Sequence, residues 1–149
     1  MTSNIRQEFN AKFRVDELAI HRTKHWTWSV RPVHSTLGAG VMSLNRPCEA
    51  MGDLSAEEAA DLSDMCRTIE NTLREFSSPS RMNYVMLMMV DPHLHFHVLP
   101  RYPEPQEFDG REWVDNGWPA LPGLGDNADL AASPHLLSVR DALRGLIQA

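Results

Sequence analysis

The chain has 149 residues, the size of one ordinary domain, with 42% apolar and 23% charged residues, a globular balance that excludes disordered and collagen-like classes. Its longest unbroken apolar run, Tyr84 to Val90, is seven residues, far short of the roughly 20 that span a bilayer. With 14 Lys+Arg against 20 Asp+Glu the formal net charge is −6 and no basic stripe compensates, so nucleic acid is not an expected partner; a small phosphorylated molecule stays compatible.

No basic, apolar segment opens the chain, so no cleaved signal peptide is expected. The two cysteines, Cys48 and Cys66, form no CxxC pair, which fits a reducing cytoplasm and argues against a disulfide framework or a thiolate zinc site. Residues 1 to 17 are mixed and polar, with Phe9 and Phe13 as anchors. From Leu18 to Val33 the pattern is strand-like: Trp26, Trp28 and Val30 alternate with Thr27, Ser29 and Arg31, and Pro32 closes the strand. Both tryptophans then share a face, where packing is the simpler role. The turn-rich stretch Ser35 to Gly40 leads to a hairpin partner, Val41 to Leu44.

Ser55 and Glu58 form an S-x-x-E capping box, and Leu62, Met65, Cys66, Ile69, Leu73 and Phe76 follow at spacings of three and four. This predicts one amphipathic helix over 56–76, broken by Ser77-Ser78-Pro79-Ser80. Tyr84 to Val90 reads as a central strand, apolar on both faces, with Met86, Met88 and Met89 as core filler. The short Asp91-Pro92 link makes His93 to Leu99 its antiparallel neighbour. Residues 100 to 133 carry five of the ten prolines, with Trp113 and Trp118, and read as extended. A last helix is predicted from Ser133 as N-cap and Pro134 in its first turn, with Leu136, Val139, Leu143 and Ile147 on one face. The expected class is α+β, an antiparallel sheet covered by helices. Beyond Pro100 the composition thus shifts, with little periodicity before the last helix.

Chemistry concentrates in His93-Leu94-His95-Phe96-His97-Val98-Leu99, which holds three of the seven histidines in five residues. On a strand, positions i, i+2 and i+4 share a face, so the three imidazoles line one side and Leu94, Phe96 and Val98 the other. A neutral ring is a nucleophile toward phosphorus, and a charged one donates a proton or screens a phosphate oxygen. A central ring can attack while its neighbours hold the anion. A metal site is the rival reading. With about 3.3 Å per residue, His93 and His97 stand roughly 13 Å apart at Cα, a separation that strains the convergence of three rings on one ion. A metal would take two of them plus a ligand such as His34 or Asp91.

With its final apolar pair the row matches H-φ-H-φ-H-φ-φ, and Pro100-Arg101-Tyr102 resembles the tail that follows it in the histidine triad (HIT) family. The likeness runs from about Leu18 to Phe108 and includes the Gly38–Leu44 hairpin, the Asp53-Leu54-Ser55 helix entry and Asn83-Tyr84; it implies a domain over 1–108 (core about 18–108), divided at 108/109 from an extension over 109–149. The chain thus resembles a bacterial-type HIT protein of the diadenosine polyphosphate hydrolase-like kind. That resemblance implies a HIT-like fold of about five antiparallel strands with a packed helix, a homodimer, and a small nucleotide as substrate. It also implies cleavage or transfer at the α-phosphate through a covalent nucleotidyl–histidine, with no metal or other cofactor required. His95 would be the nucleophile, His97 the group bonding phosphate or leaving-group oxygen, and His93 the group orienting the row. Asn83, Arg31 and Arg101 are the substrate-binding candidates. Val90-Asp91-Pro92 lacks the Gln or Ser of a phosphate-contacting loop, Ala39 follows Gly38 where a His is common, and Arg31 stands where an Asn often sits. A non-catalytic nucleotide-binding protein is the third reading, motivated by that missing Gln or Ser.

Overall fold

A computed structural model describes residues 2–124 and 130–148. Five strands form one antiparallel sheet: β1 (Ala19–Arg22), β2 (Trp26–Val30), β3 (Gly40–Leu44), β4 (Arg81–Val85) and β5 (His95–Arg101), in the order β1-β2-β3-β5-β4. The strand-like stretch from Leu18 is therefore two strands joined by a turn at Thr23–His25, with Thr23 N bonded to Trp26 O at 2.9 Å.

Alternation fixes the two faces of the sheet. Trp26, Trp28 and Val30 on β2 and Met42 and Leu44 on β3 are sealed together with Val98. They pack beneath α3 (Ala56–Phe76), whose Met65, Ile69 and Leu73 are fully buried, and beneath α4 (Leu136–Gln148) through Leu136, Val139 and Leu143. Burying a large aliphatic or aromatic side chain contributes about 1.5–3 kcal/mol, so this layer carries most of the stability. The Trp26 indole also donates to Glu58 O of α3 at 2.9 Å. Gly40 is required by this packing: a Cβ there would stand 2.8 Å from both Ser29 O and the Trp28 indole nitrogen.

α3 matches its predicted bounds because its N-terminus is fully capped. Ser55 Oγ accepts from Glu58 N at 3.1 Å, and Glu58 Oε1 accepts from Ser55 N at 2.8 Å. Such a cap contributes about 1 kcal/mol. Arg46 adds a 2.6 Å ion pair to Glu58, which holds that carboxyl down at about 2.

Three elements differ from expectation. Tyr84 to Val90 is not a central strand. β4 ends at Val85 and is an edge strand, and residues 86–94 are an irregular connection to β5 in which Met88 takes a positive φ of 55°. An apolar run cannot by itself distinguish a covered strand from a pocket wall; here Met86 and Met88 touch the core, whereas Met89 is 82% and Val90 81% exposed. The polar N-terminal stretch is helical, as α1 (Thr2–Lys12) and α2 (Val15–Leu18), separated by Arg14 in the left-handed region. The final α-helix starts at Leu136 rather than Pro134, because Leu130–His135 forms a 3₁₀ segment first.

Beyond β5, the chain forms a small hairpin, β6 (Gln106–Phe108) with β7 (Arg111–Trp113). Its turn residues Asp109 and Gly110 both have positive φ, the conformation that a two-residue hairpin turn demands. The hairpin therefore straddles the 108/109 point. Trp113 is buried in the main core, with its indole bonded to Phe108 O at 2.9 Å. α4 packs on α3 and β1, over the same core.

Candidate active site

The second face of the sheet carries the histidines. His95 and His97 alternate with Phe96 on β5 and pair with Ser43 and Val41 of β3. His93 stands just before the strand, where Leu94 N bonds Cys48 O at 2.7 Å. All three rings lie under one pair of phenylalanines from the N-terminus. Phe9 sits 5.4 Å from His93 and 4.7 Å from His95 between centroids, and Phe13 sits 5.9 Å from His95 and 6.3 Å from His97. Phe9 and Phe13 stack on each other at 4.4 Å and form a small second core with Val15 and Val41. A 2.8 Å ion pair between Lys12 and Asp91 ties this helical cap to the connection before the triad.

Hydrogen bonds fix the tautomers. A carbonyl can only accept, so His95 Nδ1, 2.6 Å from His93 O, carries a proton and leaves the Nε2 lone pair free. By the same rule His93 Nε2 donates to Leu44 O at 2.9 Å, which locks that ring in place. Arginine can only donate, so Arg31 Nε donates to His97 Nδ1 at 3.3 Å and the proton of neutral His97 lies on Nε2. The edge-on His95 and His97 rings are 5.1 Å apart. One thus offers a lone pair and its neighbour an N–H.

Burial keeps these rings uncharged. It pushes His93 down to about 4 and lowers His95; His97 falls to about 4 through burial first and the Arg31 charge second. At neutral pH the central ring is therefore a free base, as a nucleophile must be.

His95 and His97 open onto a pocket of about 390 Å³. Arg31 lines it too and is itself buried, which brings its guanidinium down to about 10, still charged at neutral pH. Its other bonds run to Val33 O, Ser35 Oγ and Leu124 O at 2.5, 3.0 and 2.5 Å. Four of its bonds thus go to protein partners, against the five N–H groups that a guanidinium offers. Apart from the ion-paired Lys12 and Asp91, the remaining walls are apolar, from Phe13, Pro32 and Val33 to the run Leu87–Val90.

Two expected ligands stand elsewhere on the same face. Arg101 pairs with Asp115 at 2.8 Å and donates to Asn83 Oδ1 at 2.7 Å and Ala120 O at 2.8 Å. Together Asn83 and Arg101 line a separate hollow beside Pro119–Pro122 and do not reach the triad pocket. His34 is buried against Trp113, 5.1 Å between rings, and does not line the pocket. Among the described residues no three His, Cys, Asp or Glu side chains are grouped to hold a metal ion, and no helix is long and apolar enough to cross a membrane.

No family model and no curated protein matches the sequence. Solved structures do match it. A histidine triad nucleotide-binding protein of Sulfolobus tokodaii, described as hypothetical, superimposes with a TM-score of 0.67 at 10% identity, covering 97% of this chain and 91% of that one. A histidine triad protein of Sinorhizobium meliloti gives 0.67 at 13% identity, over 89% and 92%. The diadenosine triphosphate hydrolase of Plasmodium falciparum gives 0.65 at 12%, over 89% and 77%. The chain has the HIT fold.

Within this HIT fold the sequence singled out the three histidines and Arg31 that meet here, and Phe9 and Phe13 as anchors, but not Lys12 or the pocket wall. Lys12 gave no sequence signal, since its partner lies 79 residues away. Phe9 and Phe13, four apart in a polar segment, are the amphipathic trace that marks α1.

Proposed function

We propose that this chain is a nucleotide hydrolase or nucleotidyl transferase that cleaves at the α-phosphate of a nucleotide conjugate through a nucleotidyl intermediate on His95. The observation that carries this reading is the 2.6 Å bond from His95 Nδ1 to His93 O, which leaves a neutral ring with its Nε2 lone pair free at a pocket. In the proposed reaction that lone pair attacks phosphorus, and His97 Nε2–H bonds a phosphoryl or leaving-group oxygen. The fixed charge of Arg31 stabilises the negative charge developing there, where a preorganised donor is typically worth about 10²–10³ in rate. His93 acts through its carbonyl oxygen, as the anchor of the nucleophile's tautomer. No metal takes part in this scheme, and the expected setting is a cytoplasmic homodimer.

A turnover screen over adenylated conjugates, run on wild type and His95→Ala with and without chelator, tests the reading. His95-dependent, chelator-resistant release of nucleoside monophosphate supports it. Activity lost on chelation and restored by zinc would favour the metal alternative instead; tight AMP binding with no turnover would favour a purely binding role.

A further inference from the structure

The Ser35 hydroxyl joins two segments that stand 88 residues apart. Its Oγ accepts from Arg31 Nη1 at 3.0 Å and donates to the carbonyl oxygen of Gly123. A hydroxyl has one proton and a carbonyl only accepts, so the bond to Gly123 O fixes that proton and turns an Oγ lone pair to the guanidinium. Arg31 Nη2 donates to the next carbonyl, Leu124 O, and Nη1 also donates to Val33 O, both at 2.5 Å. The segment with Gly123 and Leu124 is tied down again a few residues earlier. There Arg101 donates to Ala120 O at 2.8 Å, and Ala120 N to Gly117 O at 2.6 Å. An arginine in water samples many rotamers; acceptors on two separate segments select one here, with Nε aimed at His97 Nδ1.

We infer that Ser35 is a positioning residue of the triad: its hydroxyl, braced by Gly123 O, holds the Arg31 guanidinium in the plane that fixes the tautomer of His97. The inference rests on the function proposed above for its kinetic effect alone. Ser35 does not line the pocket and acts through Arg31. Without the hydroxyl, Nη1 keeps only Val33 O and the guanidinium plane tilts away from Nδ1. Neutral His97 is then free to carry its proton on either nitrogen. The neighbouring Thr36 supplies the contrast. Its Oγ1 donates to Pro100 O at 2.7 Å and fastens the same turn to β5, with no bond to Arg31.

The test compares wild type, Ser35→Ala, Ser35→Thr and Thr36→Val at neutral pH. Ring-nitrogen NMR shifts of His97 report the tautomer, turnover of an adenosine 5′-phosphoramidate gives kcat and KM, and Tm reports the fold. In wild type, Nδ1 should show the shift of an unprotonated ring nitrogen and Nε2 that of a protonated one. In Ser35→Ala both shifts should move toward each other as the tautomers mix. Its kcat should fall about tenfold, the equivalent of one hydrogen bond, with KM changed less than about twofold. Ser35→Thr keeps the hydroxyl and should restore both readings. Thr36→Val should lower Tm and leave kcat and the His97 shifts at wild-type values. Unchanged His97 shifts in Ser35→Ala, or shifts that move equally in Thr36→Val, overturn the inference, because the hydroxyl then only fastens the turn. A rise in KM at unchanged kcat overturns it too, since Ser35 would then bind substrate itself. No turnover by wild type counts against the function proposed above, and the His97 shifts still decide the role of Ser35.

Discussion

Arg31 Nε donates to His97 Nδ1 at 3.3 Å across 66 residues of sequence, and this bond decides which nitrogen of His97 carries the proton. It makes Arg31 a positioning residue for the edge of the triad as well as a source of charge. Arg31→Gln removes the charge and loosens the ring. The expected outcome is a loss of about 10²-fold in kcat/KM and a rise in the His97 titration midpoint, since the second cause of its depression is gone while burial remains. Ring-proton NMR titration beside kinetics checks both. A variant in which the rate falls and the midpoint stays put would make Arg31 a plain substrate ligand.

Acid should unfold this protein earlier than its carboxylates alone require. His93 and His97 lie at about 4 when folded, against an ordinary 6.5, so the unfolded chain binds more protons between those values. The stability they contribute is complete above about pH 6.5 and is lost as pH falls toward 4. Denaturant melts at stepped pH should show a decline across that window that flattens in the variant His93→Gln. A flat profile from 6.5 to 4 in the wild type would contradict the neutral triad.

The pair Arg101–Asp115 is almost fully buried, with Asp115 also accepting from Tyr102 N at 3.1 Å. Removing either partner strands a charge in the interior, a loss of about 3–5 kcal/mol. Asp115→Ala is therefore expected to lower Tm markedly while the surviving folded fraction keeps its KM. An increased KM at unchanged stability would return Arg101 to the substrate site.

Phe9 covers His93 and His95, and its own exposure is 2%. Phe9→Ala opens both rings to water, so the depressed His95 titration should move up toward 6.5, readable by NMR, with the acid limb of the pH–rate profile following it. An unmoved midpoint would mean that the N-terminal helix contributes nothing to keeping the triad neutral.

Where local physics decides the structure, the sequence shows it. Ser55 and Glu58 satisfy the first turn of α3 with their own side chains, and the helix runs over the predicted 56–76. The alternation of His95, Phe96 and His97 allows only one arrangement of faces. The misread parts depend on tertiary context. Leu87 to Val90 looks like core but walls a pocket, and Arg101, a plausible phosphate ligand beside the triad, finds Asp115 instead. Phe9 and Phe13 acquire their role only when β5 folds beneath them. The β6–β7 hairpin lies in the stretch that reads as extended, although Asp109-Gly110 is a turn signal between Phe108 and Trp113. Its three-residue strands are too short to show alternation.

The central claim is that His95 forms a covalent bond to phosphorus. Rapid quenching of the enzyme with an adenosine phosphoramidate, followed by mass spectrometry of the peptide containing His93 to Arg101, tests it directly. The account predicts an adenylyl group on His95, present in wild type and absent from His95→Ala. Turnover at full rate in His95→Ala, or an adduct on His93 or His97 in the wild type, would contradict it.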